Sequence, residues 1–242
     1  MLQKDAGSLP ATTAKIDVLI IDGSPLSIQE VCRAANQTAN ARFEPSPDLP
    51  NKMQVSVDLV EQAVAKGQTI YGVTTGFGGM AGVPVARDQA AASQNNLLSF
   101  LATGAGDPID RRHVRAAMLL RANVLAQGCS GVRFEIVERL LRFLEADAIP
   151  VVRELGSIGA SGDLVPLSTI ARAITGQSDH VKVQRGNRVL GGSDALDELG
   201  LDSIELLPKE GLALVNGTSF SSAIAANCVF ESRHLMALAF GV

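Results

Sequence analysis

A chain of 242 residues, 46% hydrophobic and 19% charged, carries enough apolar side chain for a sizeable core and too little charge for a disordered polymer. The formal net charge of -4 and pI near 5.4 argue against a polyanionic partner, since nucleic-acid affinity comes from clustered Lys and Arg. A single Tyr, no Trp and 4% aromatic residues also exclude a stacking platform for bases, so a small molecule or a protein is the expected partner.

Residues 1–15 have no periodicity and read as a loose tail without the apolar core of an export signal. Residues 17–22 form a strand-like run, after which Ser24 and Pro25 are expected to cap and open a helix through Arg33. Residues 42–53, rich in proline, read as a linker. Val55, Leu59, Val60 and Val64 then recur at helical spacing until Gly67. Residues 71–82 carry five glycines in twelve positions, which suits a loop with unusual dihedrals or close approach to a ligand. From Arg87 the chain reads as helix through Leu97, Leu98, Phe100 and Leu101, with a break over 104–108. Helices are expected over about 111–127 and 132–147, the second striped by Ile136, Leu140, Phe143 and Leu144. Another is expected to start at Asp163, suited to cap it, and to end by Gly176. Residues 180–184 and 188–190 flank a turn and predict a β-hairpin. An Asp/Leu-rich connector leads to Pro208, and residues 212–242 are apolar enough for one or two helices. No run reaches the roughly 18 apolar residues of a membrane span. The widely separated Cys32, Cys129 and Cys228 fit reduced thiols in a cytoplasmic protein.

The chemistry concentrates at Ala160, Ser161 and Gly162. Small residues flanked by Gly159 let the backbone bend until the Gly162 nitrogen reaches the Ala160 carbonyl carbon. Loss of two waters, one taking the Ser161 hydroxyl, would leave a methylidene-imidazolone, an electrophile that no unmodified side chain supplies. Taken alone, 159–163 is equally an ordinary glycine-flanked helix cap. A nucleophile elbow is excluded, because Asp163 stands where Gly-x-Ser-x-Gly needs glycine. Residues 76–81 imitate a dinucleotide fingerprint without a surrounding βαβ unit, and His113, His180 and His234 lack metal-ligand spacing. Neither nucleotide nor metal is therefore expected.

Residues 156–168, Gly-Ser-Ile-Gly-Ala-Ser-Gly-Asp-Leu-Val-Pro-Leu-Ser, resemble the signature of the histidine, phenylalanine and tyrosine ammonia-lyases and the related aminomutases. Residues 71–79, 114–123 and 207–218 resemble further family segments in the family order, so the likeness runs over roughly residues 16–242 and is strongest to the bacterial phenylalanine ammonia-lyases. Members of that family are longer, so the likeness is to their amino-terminal part. The arginine that anchors the substrate carboxylate would come from beyond it.

The resemblance implies a mainly α protein of the ammonia-lyase (fumarase/aspartase-like) fold. Residues 16–210 would form the domain bearing the prosthetic group, with small β elements, and 211–242 would start a central helical bundle. It implies a 4-methylidene-imidazole-5-one (MIO) group made from Ala160, Ser161 and Gly162, supported by Asp163 and hydrogen-bonded by Asn216. Tyr71 would take the β-proton of the substrate, for which positive potential from helix amino termini such as that at Asp163 is needed. Phe100, Leu101, Leu212 and Gly78 would line the substrate site. An apolar pair at 100–101 goes with phenylalanine, because an apolar wall leaves a phenol hydroxyl unpaired. The implied reaction is conversion of L-phenylalanine to trans-cinnamate and ammonia in a homotetramer. A 2,3-aminomutase, a tyrosine or histidine ammonia-lyase, and an inactive module with a role in assembly stay open.

Overall fold

The computed structural model describes residues 18–36, 42–177 and 180–241. The tail read at 1–15 lies outside the described residues. Strand β1 (Leu19–Ile21) is followed by helix α1 (Ile28–Asn36), which starts later than expected because Ser27, not Ser24, caps it. Ser27 N–H and Oγ both donate to Glu30 Oε2 at 2.7 Å, and Glu30 N–H donates back to Ser27 Oγ at 3.3 Å. That is a capping box, spelled by Ser-Ile-Gln-Glu.

The expected linker at 42–53 is structured. Strand β2 (Phe43–Pro45) pairs in parallel with β1, and helix α2 (Leu49–Ala65) begins with Pro50 in its first turn. Proline is tolerated at both a strand end and a helix start, so a proline-rich stretch can hold both elements. Residues 71–82 are the expected loop, interrupted by a 3-10 turn at Gly78–Met80. A second 3-10 turn, Arg87–Gln89, leads into α3 (Ala90–Phe100).

The break after α3 forms strand β3 (Ala105–Pro108). Helices α4 (Arg111–Leu125) and α5 (Phe134–Glu145) follow near their expected positions, then strands β4 (Ala148–Pro150) and β5 (Arg153–Leu155). Strand β5 runs antiparallel to β3. After α6 (Leu164–Thr175) comes the expected hairpin, β6 (Lys182–Arg185) and β7 (Arg188–Gly191), with β4 on its other edge. The Asp/Leu-rich connector contains an unforeseen helix, α7 (Gly192–Leu199), whose Ala195, Leu196 and Leu199 are buried. Helices α8 (Glu210–Val215) and α9 (Ser219–Phe240) complete the mainly helical chain.

Helix α4 is the hub of the core, packed against α1, α5 and α9, with Met118, Leu119, Leu125, Ile136, Leu140 and Phe143 fully buried around it. By length and composition alone, Glu210–Phe240 is long and apolar enough to cross a membrane. It is broken at residues 216–218, and Phe220, Ala223 and Asn227 of α9 are buried in the core. The second half of α9 leaves Phe230, Leu235, Met236, Leu238 and Phe240 exposed.

On α9, the buried Asn227 lies with Nδ2 3.1 Å from His113 Nδ1 of α4. Burial, then the Arg112 guanidinium, holds the His113 imidazole below its ordinary 6.5, against weaker opposing pulls from Asp110 and Glu231. As pH falls below about 6.5 the unfolded chain takes up this proton before the folded one does, so stability is intact above that pH and declines beneath it. Thermal melts at pH 7.5 and 5.5 are expected to show a smaller acid-induced drop for His113→Gln than for the wild type. Equal drops would contradict this coupling.

Candidate active site

Tyr71 stands at the start of the glycine-rich loop, 49% exposed. Its hydroxyl oxygen accepts from Gly78 N–H at 3.0 Å, and Phe77 stands edge-on to its ring with centroids 6.5 Å apart. Gly72 is what permits this arrangement. It sits at φ +66, and a Cβ there would lie 2.7 Å from Phe77 Cε1 and 2.9 Å from Leu212 Cδ2. The Tyr71 loop therefore rests directly on Leu212 of α8.

A buried amide fixes that contact. Gln94 of α3 is 0% exposed, donates from Nε2 to the Gly72 carbonyl at 2.8 Å, and accepts the Leu212 amide at Oε1 at 3.0 Å. The opposite flank of α8 is held by Glu210, 1% exposed, which accepts from Arg133 Nε at 2.9 Å, Arg133 Nη2 at 2.7 Å and Leu207 N–H at 2.7 Å. A six-residue helix with too few internal hydrogen bonds to persist alone is thus pinned at its start and middle.

The carboxyl end of α8 delivers Asn216 and Gly217 to the tripeptide. Gly162 is buried at φ +111, and a Cβ on it would lie 2.7 Å from Gly217 N and 3.1 Å from Gly217 O. The Asp163 amide donates to the Gly217 carbonyl at 2.8 Å. Gly162 also bridges back to Gly159 and Ala160, so the chain curls on itself over these positions, while Ala160 and Ser161 stay exposed.

Asp163 does not cap α6 with its side chain, contrary to expectation. Its carboxylate, 1% exposed, reaches the first turn of α9 instead, accepting from Ser221 N–H at 2.8 Å and from Ser221 Oγ at 2.6 Å. It also accepts from Ser157 Oγ at 2.7 Å. Ser157 and Asp163 therefore clasp the segment from both sides, and the amino termini of α6 and α9 converge on Gly162 and Gly217. Positive helix potential gathers where an electron-accepting group would sit.

The expected residues do not all share one surface. Tyr71, Gly78 and Phe77 form one cluster, Ala160, Ser161, Gly162, Asp163 and Asn216 another, and α8 with Leu212 joins them. The Asn216 side chain is exposed. Phe100 is 80% exposed at the end of α3, whereas Leu101 is 8% exposed within the core. Gln94, Ser157, Ser221 and Arg121 were not singled out from the sequence. Gln94 and Arg121 carry a sequence signal nonetheless, as polar residues on the buried faces of α3 and α4. Among the described residues, no three His, Cys, Asp or Glu side chains gather as a metal site.

Replacing Gln94 by Leu leaves the Gly72 carbonyl and the Leu212 amide buried without partners. The expected cost is about 3 kcal/mol, read from the denaturation midpoint. An unshifted midpoint for Gln94→Leu would contradict the bridging role.

Comparisons with known proteins bear on the family and the fold. Residues 26–242 match the family model described as aromatic amino acid lyase. The phenylalanine ammonia-lyase of Nostoc punctiforme is 45% identical over 234 residues, 97% of this chain and 41% of that protein. The histidine ammonia-lyase of Caldanaerobacter subterraneus is 38% identical over 93% of this chain and 43% of that protein. Among solved structures, the tyrosine aminomutase of Streptomyces globisporus superimposes with a TM-score of 0.78 at 34% identity, covering 86% of this chain and 38% of that one. The histidine ammonia-lyase of Trypanosoma cruzi does so with 0.79 at 31% identity, covering 90% and 41%. The chain spans less than half the length of these relatives. It belongs to the aromatic amino acid lyase family and has that family's ammonia-lyase fold.

Proposed function

We propose that the protein is an aromatic amino acid ammonia-lyase acting on L-phenylalanine, with trans-cinnamate and ammonia as products. The observation that carries this reading is the cradle at Gly162, where no Cβ fits against Gly217 and the chain already curls back to Ala160. Such a bend brings a backbone nitrogen toward a carbonyl two residues earlier, the geometry that ring closure needs. Ala160, Ser161 and Gly162 therefore fit an MIO group, held from beneath by Asp163 and Gly217. Once formed, that group supplies an electron-poor methylidene carbon that helps the amino nitrogen to leave.

The proton transfer falls to a side chain of this chain. Tyr71 takes the β-proton, and the electron pair of that C–H bond becomes the new double bond as the nitrogen departs with its own pair. The amide of Gly78 orients the Tyr71 hydroxyl. Leu212 supports the Tyr71 loop from below, and the Asn216 side chain is free to hydrogen-bond at the tripeptide. Phe100 offers an exposed apolar ring, suited to an unsubstituted phenyl group. The apolar second half of α9 is the kind of surface a homo-oligomer buries, and a tetramer is the assembly proposed.

The purified protein incubated with L-phenylalanine is expected to generate cinnamate, followed by its ultraviolet absorbance, faster than it consumes tyrosine or histidine. A β-amino acid product would move the assignment to a 2,3-aminomutase, and no turnover of any of the three would favour a module with a role in assembly alone. Phe100→His is expected to raise the tyrosine-to-phenylalanine ratio of kcat/KM by about tenfold or more. An unchanged ratio would remove Phe100 from the substrate site.

A further inference from the structure

Helix α4 carries a cation on its buried face. Val114, Met118, Arg121 and Leu125 follow helical spacing into the interior, and Arg121 is 4% exposed. Burial pushes the pKa of this guanidinium down to about 10, with no carboxylate offsetting the lost water, and the neighbouring charge it does feel is the cation of Lys209. It stays protonated at neutral pH. Its Nε finds no hydrogen-bond partner. Leaving a charge in this state is costly, and an apolar side chain of similar volume would fill the same space more cheaply. Packing alone therefore does not account for an arginine here.

What the guanidinium touches gives it a purpose. Nη2 donates to the Asn216 carbonyl at 3.1 Å and also to the Ala213 carbonyl, both at the carboxyl end of α8, where a cation is favoured. Nη1 presses on the next residue, since a Cβ at Gly217 would lie 2.2 Å from it. Gly217 is also the wall against which Gly162 has no room for a Cβ. Arg121 thus adjoins Gly217, and Gly217 adjoins Gly162.

We propose that Arg121 is a positioning residue for self-condensation of the tripeptide: it braces the Asn216–Gly217 backbone against Gly162 and keeps the Gly162 nitrogen turned toward the Ala160 carbonyl carbon. This rests on the reading that 160–162 condenses. In the step it serves, a bond forms from Gly162 N to the Ala160 carbonyl carbon. The first water carries away the Ala160 oxygen with the hydrogens of Gly162 N and Ser161 N. The second carries away the Ser161 hydroxyl with the hydrogen on Ser161 Cα, and no oxidant is consumed. A planar fork able to hold two carbonyls while touching a third residue is a task for arginine more than lysine.

The test follows intact mass with time after folding, for the wild type, Arg121→Met and Arg121→Lys, with circular dichroism reporting the folded fraction. The wild type is expected to lose both waters. Folded Arg121→Met is expected to do so about a hundredfold more slowly, as for a misplaced reacting group, with Arg121→Lys between the two. A purely structural arginine would lower the melting temperature yet leave the rate within the folded fraction unchanged, and that result overturns the proposal. If Arg121→Met does not fold, Arg121→Lys carries the same comparison. A wild type that keeps both waters would instead sink the underlying reading of residues 160–162.

Discussion

No side chain fits between Gly162 and Gly217, and the rest of the site is arranged around that close approach. Two backbone segments distant in sequence meet here, and the approach requires glycine at 162, where a Cβ would strike the Gly217 backbone. The hydrogen bond from the Asp163 amide to the Gly217 carbonyl locks their register. A methyl group on Gly162 would push the segments apart and open the curl at Ala160–Gly162.

Helix α8 sustains the approach, although it is too short to be stable by itself. It is held by Arg133 through Glu210, by Gln94 through the Leu212 amide, and by Arg121 at its final carbonyls. Each anchor comes from a different part of the chain. Gln94 is used twice, because the same amide group also secures the loop that presents Tyr71. The two clusters of expected site residues are consequently coupled through one small helix, and displacement of α8 would disturb both.

Much of this arrangement was legible in the sequence where the signals are local. The stripe of Ile136, Leu140, Phe143 and Leu144 gave α5, the hairpin around Gly186 and Asn187 follows its turn residues, and the small-residue run at 159–163 is the segment that curls back on itself. Local signals also misled. Ser24-Pro25 looked like a helix start, but the capping box three residues later won, and the prolines of 42–53 hid a strand and a helix start. Other features were not legible because they depend on long-range contacts. Asp163 caps a helix whose first turn lies almost sixty residues away, and the partners of Gln94 and Arg121 appear only once α3, α4 and α8 are packed together.

The proposed activity depends on the covalent state of residues 160–162. A crystal structure of the purified protein at high resolution tests it most directly. Continuous density for a closed imidazolone ring, with the Ser161 oxygen gone and its β-carbon in the ring plane, is the predicted result. Density for an ordinary open peptide with an intact Ser161 hydroxyl would contradict it.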